Sequence, residues 1–116
     1  MDYTQTISFK TMEEAKSIGY DNFPLIQKFL PTMKMIKTCR AVTLHDWIYT
    51  HHKLLVETTH DENKKWGYIL WKLDKDDISP EAKLTYIDDA RMFKSENDAF
   101  DNGLQRAIYE IKNKTK

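Results

Sequence analysis

The chain has one cysteine, Cys39, three glycines and three prolines. A single cysteine cannot close an intramolecular disulfide, so no covalent staple supports the fold from within. No apolar run approaches the roughly 18 residues needed to cross a bilayer. The polar start MDYTQTISFK lacks the apolar core of a secretory leader. These absences predict a cytoplasmic protein in a reducing compartment, with no membrane partner. An excess of one charge sign is also missing, with 18 Lys+Arg against 18 Asp+Glu. A non-specific duplex-DNA binder needs surplus cations to displace counterions, and this balance removes that footprint. There is no Gly-rich phosphate loop, no GxSxG and no HxE…CxxC pattern. The expectation is a protein that is not an enzyme and needs no cofactor.

What is present is a globular composition. The 116 residues are 41% hydrophobic and 12% aromatic, enough for one core in one domain, 1–116. Residues 1–42 read as an N-terminal extension of short helices and linker that packs on a 43–116 core. In ISFKTMEEAKSIGYDNFP an extended lead-in precedes a short helix, with Thr11 and Glu14 as a capping box and Gly19 as its stop. Pro24 suits a first helical turn, and Leu25, Ile26, Phe29 and Leu30 follow helical spacing until Pro31 ends it. The conformation of 31–42 is open between a further turn and an extended linker.

From residue 43 the signals sharpen. Thr43 and Asp46 make a box-like helix start, and Leu44, Trp47 and Ile48 share a face. The period then changes, as Leu54, Val56 and Thr58 alternate with Leu55, Glu57 and Thr59. After the polar turn HDENKK, the segment KKWGYILWKLDKD is a strand with Trp66, Tyr68, Leu70 and Lys72 on one face. Gly67, Ile69, Trp71 and Leu73 lie on the other. LTYIDDARMF is a third strand, with an interruption near Asp88 and Asp89. In SENDAFDNGLQRAIYEIK, Ser95 and Asp98 cap a helix whose apolar stripe is Phe100, Leu104, Ala107, Ile108 and Ile111. Ala99, Gly103 and Ala107 form a row of small residues that permits close approach to a sheet. The predicted fold is therefore α+β. It is a three-stranded antiparallel meander (about 54–60, 65–74, 84–93) with helices (about 43–52, 96–113) packed on one face, plus the N-terminal strand and helix segment. The opposite sheet face stays wet unless the N-terminal segment covers it.

The pieces HDWIYTHHKLLVE, KKWGYILWKLD and MFKSENDAFDNGLQRAIYEI, with FKTMEEAKSIGYD before them, resemble small uncharacterised proteins of phages, prophages and mobile elements of gut bacteria. The sharpest shared signature is the Ala-x-x-x-Gly-Leu-x-x-Ala helix, a packing pattern, here Ala99, Gly103, Leu104 and Ala107. Asn97 and Asp98 replace two glutamates of the group, and Arg106 stands where an acid is usual. The group has no established activity. The resemblance implies the fold and a mobile-element origin, and supplies no catalytic residue.

Three of the four histidines lie in TLHDWIYTHHKLLVE. Helical metal ligands need spacings of three or four. His45 and His52 are instead two turns apart, about 10 Å along the axis, and His60 lies beyond a strand. At a helix C-terminus, His51 and His52 are favoured by the dipole, and no metal site is expected. Cys39 has no CxxC or helix-start context that would activate it. The acidic run DKDD lacks the glycine and terminal glutamate of a calcium loop. Two functional readings remain. The first is an accessory protein that binds an unknown protein partner or forms a homo-oligomer, with Trp66, Tyr68 and Trp71 as the interface. The alternative is an RNA- or nucleic-acid-binding module, because helix–three strands–helix is the order of double-stranded-RNA-binding domains. Its contacts would be Lys28, Lys34, Lys37 and Arg40, in a stretch with no acid between Asp21 and Asp46.

Overall fold

The computed structural model describes residues 5–27, 35–73 and 84–114. Along the chain lie α1 (Phe9–Ser17), β1 (Leu25–Gln27), β2 (Met35–Lys37), α2 (Ala41–His52), β3 (Leu54–His60), β4 (Trp66–Leu73), β5 (Leu84–Phe93) and α3 (Glu96–Lys114). Strands β3, β4 and β5 form an antiparallel meander with β4 in the centre, and β1 pairs with β2 in a separate two-stranded sheet. The α+β meander with packed helices is thus the observed architecture. Its first and third strands begin and end where the alternation predicts.

The β3–β4 turn follows from Asp61. Its carboxylate accepts from the amides of Asn63 and Lys65, both at 2.9 Å, the local bonding that makes aspartate a turn residue. Facing residues in the meander share a side of the sheet. Val56 opposite Leu70 and Thr58 opposite Tyr68 lie on the inner side, under α3. There Leu44, Ile48, Leu54, Leu70, Phe100, Leu104 and Ile108 are fully buried, each contributing about 1.5–3 kcal/mol. Ser95 caps α3 as expected, its hydroxyl accepting from the amide of Asp98 at 3.1 Å. The small-residue row lies against the sheet. A Cβ added at Gly103 would overlap Val56 Cγ1 and lie 3.1 Å from Tyr68 Cβ.

The N-terminal region departs from expectation at three places. Helix α1 is capped by Ser8, whose Oγ accepts from the amide of Thr11, and so begins one turn before the predicted box. Thr11 is instead buried and donates to Asp101 of α3 at 2.9 Å. Gly19, at φ +98°, does end the helix. Leu25 and Ile26 lie in strand β1 rather than in a first helical turn, and β2 supplies the other half of the ladder. A window of apolar residues this short fits either period, and only the distant partner decides. Phe29, Leu30 and Pro31 lie outside the described residues. Helix α2 begins at Ala41, with Arg40 at the cap and no side-chain cap bond. The amide of Ala41 donates to the Gln5 carbonyl at 2.8 Å, and that of Ile7 to the Cys39 carbonyl at 3.1 Å. The extended lead-in, bridged at Thr6 to Arg40, therefore takes the place of the Thr43–Asp46 box. Helix α1 rests on α3, on the helical side of the molecule.

Candidate interaction surface

With α2 and α3 on the inner side, the outer side of the meander is built by the other alternating set. Register places Leu55 beside Trp71, Trp71 beside Tyr86, and Leu73 beside Leu84, with Glu57 flanking Ile69 and Asp89 following on β5. These side chains form one apolar patch edged by Glu57, Asp89 and Arg91. Leu84 and Tyr86, on the edge strand β5, are exposed, at 45% and 54%. Trp71 and Tyr86 meet edge to face at 6.1 Å.

The polar tips on this face are oriented by the acids around them. Trp71 Nε1 donates to Glu57 Oε1 at 3.4 Å, and the Tyr86 hydroxyl donates to Asp89 Oδ1 at 2.5 Å. That short bond holds the phenolic proton and raises the Tyr86 pKa above its ordinary value. Arg91 Nε sits 3.6 Å from Asp89 Oδ2.

Two register shifts shape β5. Between Leu70 and Trp71 the facing residue jumps from Asp88 to Tyr86, and between Trp66 and Gly67 it jumps from Phe93 to Arg91. The extra residues, Ile87 and Met92, are bulges that break strict alternation. Ile87 packs partly into the core while Met92 is 70% exposed. Asp88 is carried to the inner side, where its Oδ2 accepts from Arg106 Nε at 2.8 Å and Arg106 also reaches Glu110 at 3.1 Å. The interruption expected near Asp88 and Asp89 is this first bulge.

The three expected interface aromatics are separated by this geometry. Tyr68 is buried beneath α3, stacked on Phe93 at 6.0 Å, and burial raises its pKa. That removes it from any exposed surface. Trp66 lies on the same inner side, half-buried and stacked on His60 at 4.5 Å. Trp71 alone of the three belongs to the outer patch. Leu55, Leu84 and Tyr86 join it, and for Leu55 the period-two alternation was the available signal. Lys37 and Arg40 are exposed, at the end of β2 and at the start of α2. Lys28 and Lys34 lie outside the described residues.

The described chain does not match any family model, curated protein or solved structure compared with it.

The histidines make backbone and ring contacts. His45 Nε2 accepts from the amide of Val56, His51 and His52 lie against Trp47 at 5.0 and 5.4 Å, and His60 stacks on Trp66. Among the described residues no three His, Cys, Asp or Glu side chains gather as metal ligands. Cys39 is buried beside Tyr20, and burial raises both groups above their ordinary pKa values. A thiol so raised stays protonated. It borders a cleft of about 320 Å³ with Asn22, Pro24, Arg40 and Thr43.

Proposed function

We propose that this is a small non-enzymatic accessory protein that acts through the outer face of its meander, and that the occupant of this face is a second copy of the chain. The carrying observation is the one-sided sheet. Leu55, Ile69, Trp71, Leu73, Leu84 and Tyr86 share the side opposite the two helices. Burial of such a face is favourable at roughly 25 cal/mol per Å² of apolar area. The choice of a second copy rests on charge. The chain is formally neutral, so copies do not repel one another at long range. The patch is edged by both signs, with Glu57 and Asp89 against Arg91, so two copies about a two-fold axis can oppose acid to base. The resemblance to mobile-element proteins fits an accessory role.

Light scattering coupled to size-exclusion chromatography tests this directly. The native chain is expected to run as a concentration-dependent dimer, and a Trp71→Lys/Tyr86→Lys variant as a folded monomer. A native chain that stays monomeric at its highest soluble concentration overturns the reading. A dimer that survives the double substitution moves the interface elsewhere and overturns it equally. A salt-sensitive shift of labelled RNA by the monomer, lost in a Lys37→Glu/Arg40→Glu variant, would favour the nucleic-acid alternative instead.

A further inference from the structure

Strand β3 is an edge of the meander, so alternate amides along it point away from β4 and need another partner. At Val56 that partner is a side chain. The Val56 amide donates to His45 Nε2 of α2 at 2.9 Å, and the imidazole is held edge-on against Phe100 of α3 at 5.3 Å. One ring thus ties α2, β3 and α3 together at the seam. A ring nitrogen that accepts a hydrogen bond carries no proton, so this contact requires neutral His45 with its proton on Nδ1. Protonation would set an N–H donor against the Val56 N–H and turn the bond into a repulsion.

We propose that His45 is a pH-sensitive latch, holding α2 on the edge of β3 while neutral and releasing that seam when it takes up a proton. The surroundings favour the latched form. Burial pushes the imidazole below the usual histidine range, and only Asp46, its neighbour on α2, acts in the opposite direction. From β3 the ring faces the Val56 amide, flanked by uncharged Leu54 and Thr58. From α3 it faces Phe100, and Glu96 at the start of that helix is engaged by the Thr58 hydroxyl at 3.1 Å. The sign follows from linkage. A histidine depressed in the folded state contributes stability that is complete above its unfolded value, about 6.5. That stability is lost as pH falls from there toward the folded value. Opening the seam bares the β3 edge, the kind of unpaired ladder on which another strand can add. The latch is independent of the outer face, because His45 and Val56 belong to the inner side and the edge.

The test is amide hydrogen exchange read by NMR between about pH 7.5 and about pH 5, corrected for intrinsic rates. The native chain is compared with His45→Gln, whose amide oxygen can accept from Val56 but does not titrate. In the native chain the protection of Val56 is expected to fall, by up to tenfold for each pH unit separating the latched from the ordinary histidine value. In His45→Gln it should stay level. Unchanged Val56 protection in the native chain, or an acid-induced loss retained in the variant, overturns the latch. Should the variant fail to fold, ¹⁵N shifts of the native imidazoles decide. The latch predicts an Nδ1–H tautomer for His45 and titration below the ordinary histidine range, and an Nε2–H tautomer overturns it.

Discussion

Lys64 sits in the β3–β4 turn at φ +60°, in the left-handed region that costs a non-glycine residue about 1–2 kcal/mol. Its amide donates to the Asp61 carbonyl at 3.1 Å and its side chain is exposed, so the strain serves the turn and not a contact. Lys64→Gly relieves the steric cost but enlarges the freedom of the unfolded chain. The expected net gain is about 0.5–1 kcal/mol, read as a rise in thermal midpoint of roughly 2–6 °C. The turn itself was legible as the polar run HDENKK. The residue that must go left-handed was not, because Asp61 selects it by accepting two amides further along, a choice made by bond geometry rather than by composition.

At the scale of elements, α3 and the sheet come close because Gly103 has no side chain. Helix propensity alone would reward Gly103→Ala by about 0.8–1.0 kcal/mol. The added methyl would instead collide with Val56 and crowd Tyr68, and overpacking of this kind costs about 1–3 kcal/mol. Chemical denaturation of Gly103→Ala is expected to show a net loss of stability, and a gain would mean that the helix can lift off the sheet without penalty. This element is legible in the sequence, since the row Ala99, Gly103, Ala107 and the cap at Ser95 belong to one local segment. Strand β5 is less legible. Its two bulges depend on how β4 pairs with it, and they carry Asp88 inward to Arg106 and leave Tyr86 facing out. The interruption near Asp88 is legible in LTYIDDARMF, but the side that each residue takes is not, because the pairing with β4 sets it.

At the scale of the whole molecule, the N-terminal region is tied to the last helix across some ninety residues of chain. Asp101 Oδ1 accepts from the Ser8 amide and the Thr11 hydroxyl, both at 2.9 Å, while Oδ2 accepts from Gln105 at 3.1 Å. Lys112 pairs with Glu14 one turn of α1 further on. Ile7, Ala15, Tyr20 and Cys39 belong to the same buried cluster as Leu70 and Phe100. Hydrogen bonds to a charged acceptor are worth about 1.5–3 kcal/mol each. Asp101→Ala is therefore expected to lower stability by roughly 2–4 kcal/mol. The loss should appear as one shifted transition in both the exchange of α1 amides and the tryptophan fluorescence, because the extension and the sheet share a core. Two separated transitions would show that residues before α2 form an independent unit.

The meander, the limits of its first and third strands, and the stripe and cap of the last helix follow from the sequence alone, because each rests on a period or a spacing contained within one segment. Only tertiary structure could settle the identity of β1, the start of α2, and which side of the sheet, that of Trp66 and Tyr68 or that of Trp71, is covered by α3. Those features depend on partners far along the chain. Pro24 and Thr38, Gln5 and Ala41, Ser8 and Asp101 meet only after folding. A short segment with two permitted conformations takes the one whose backbone groups find acceptors there.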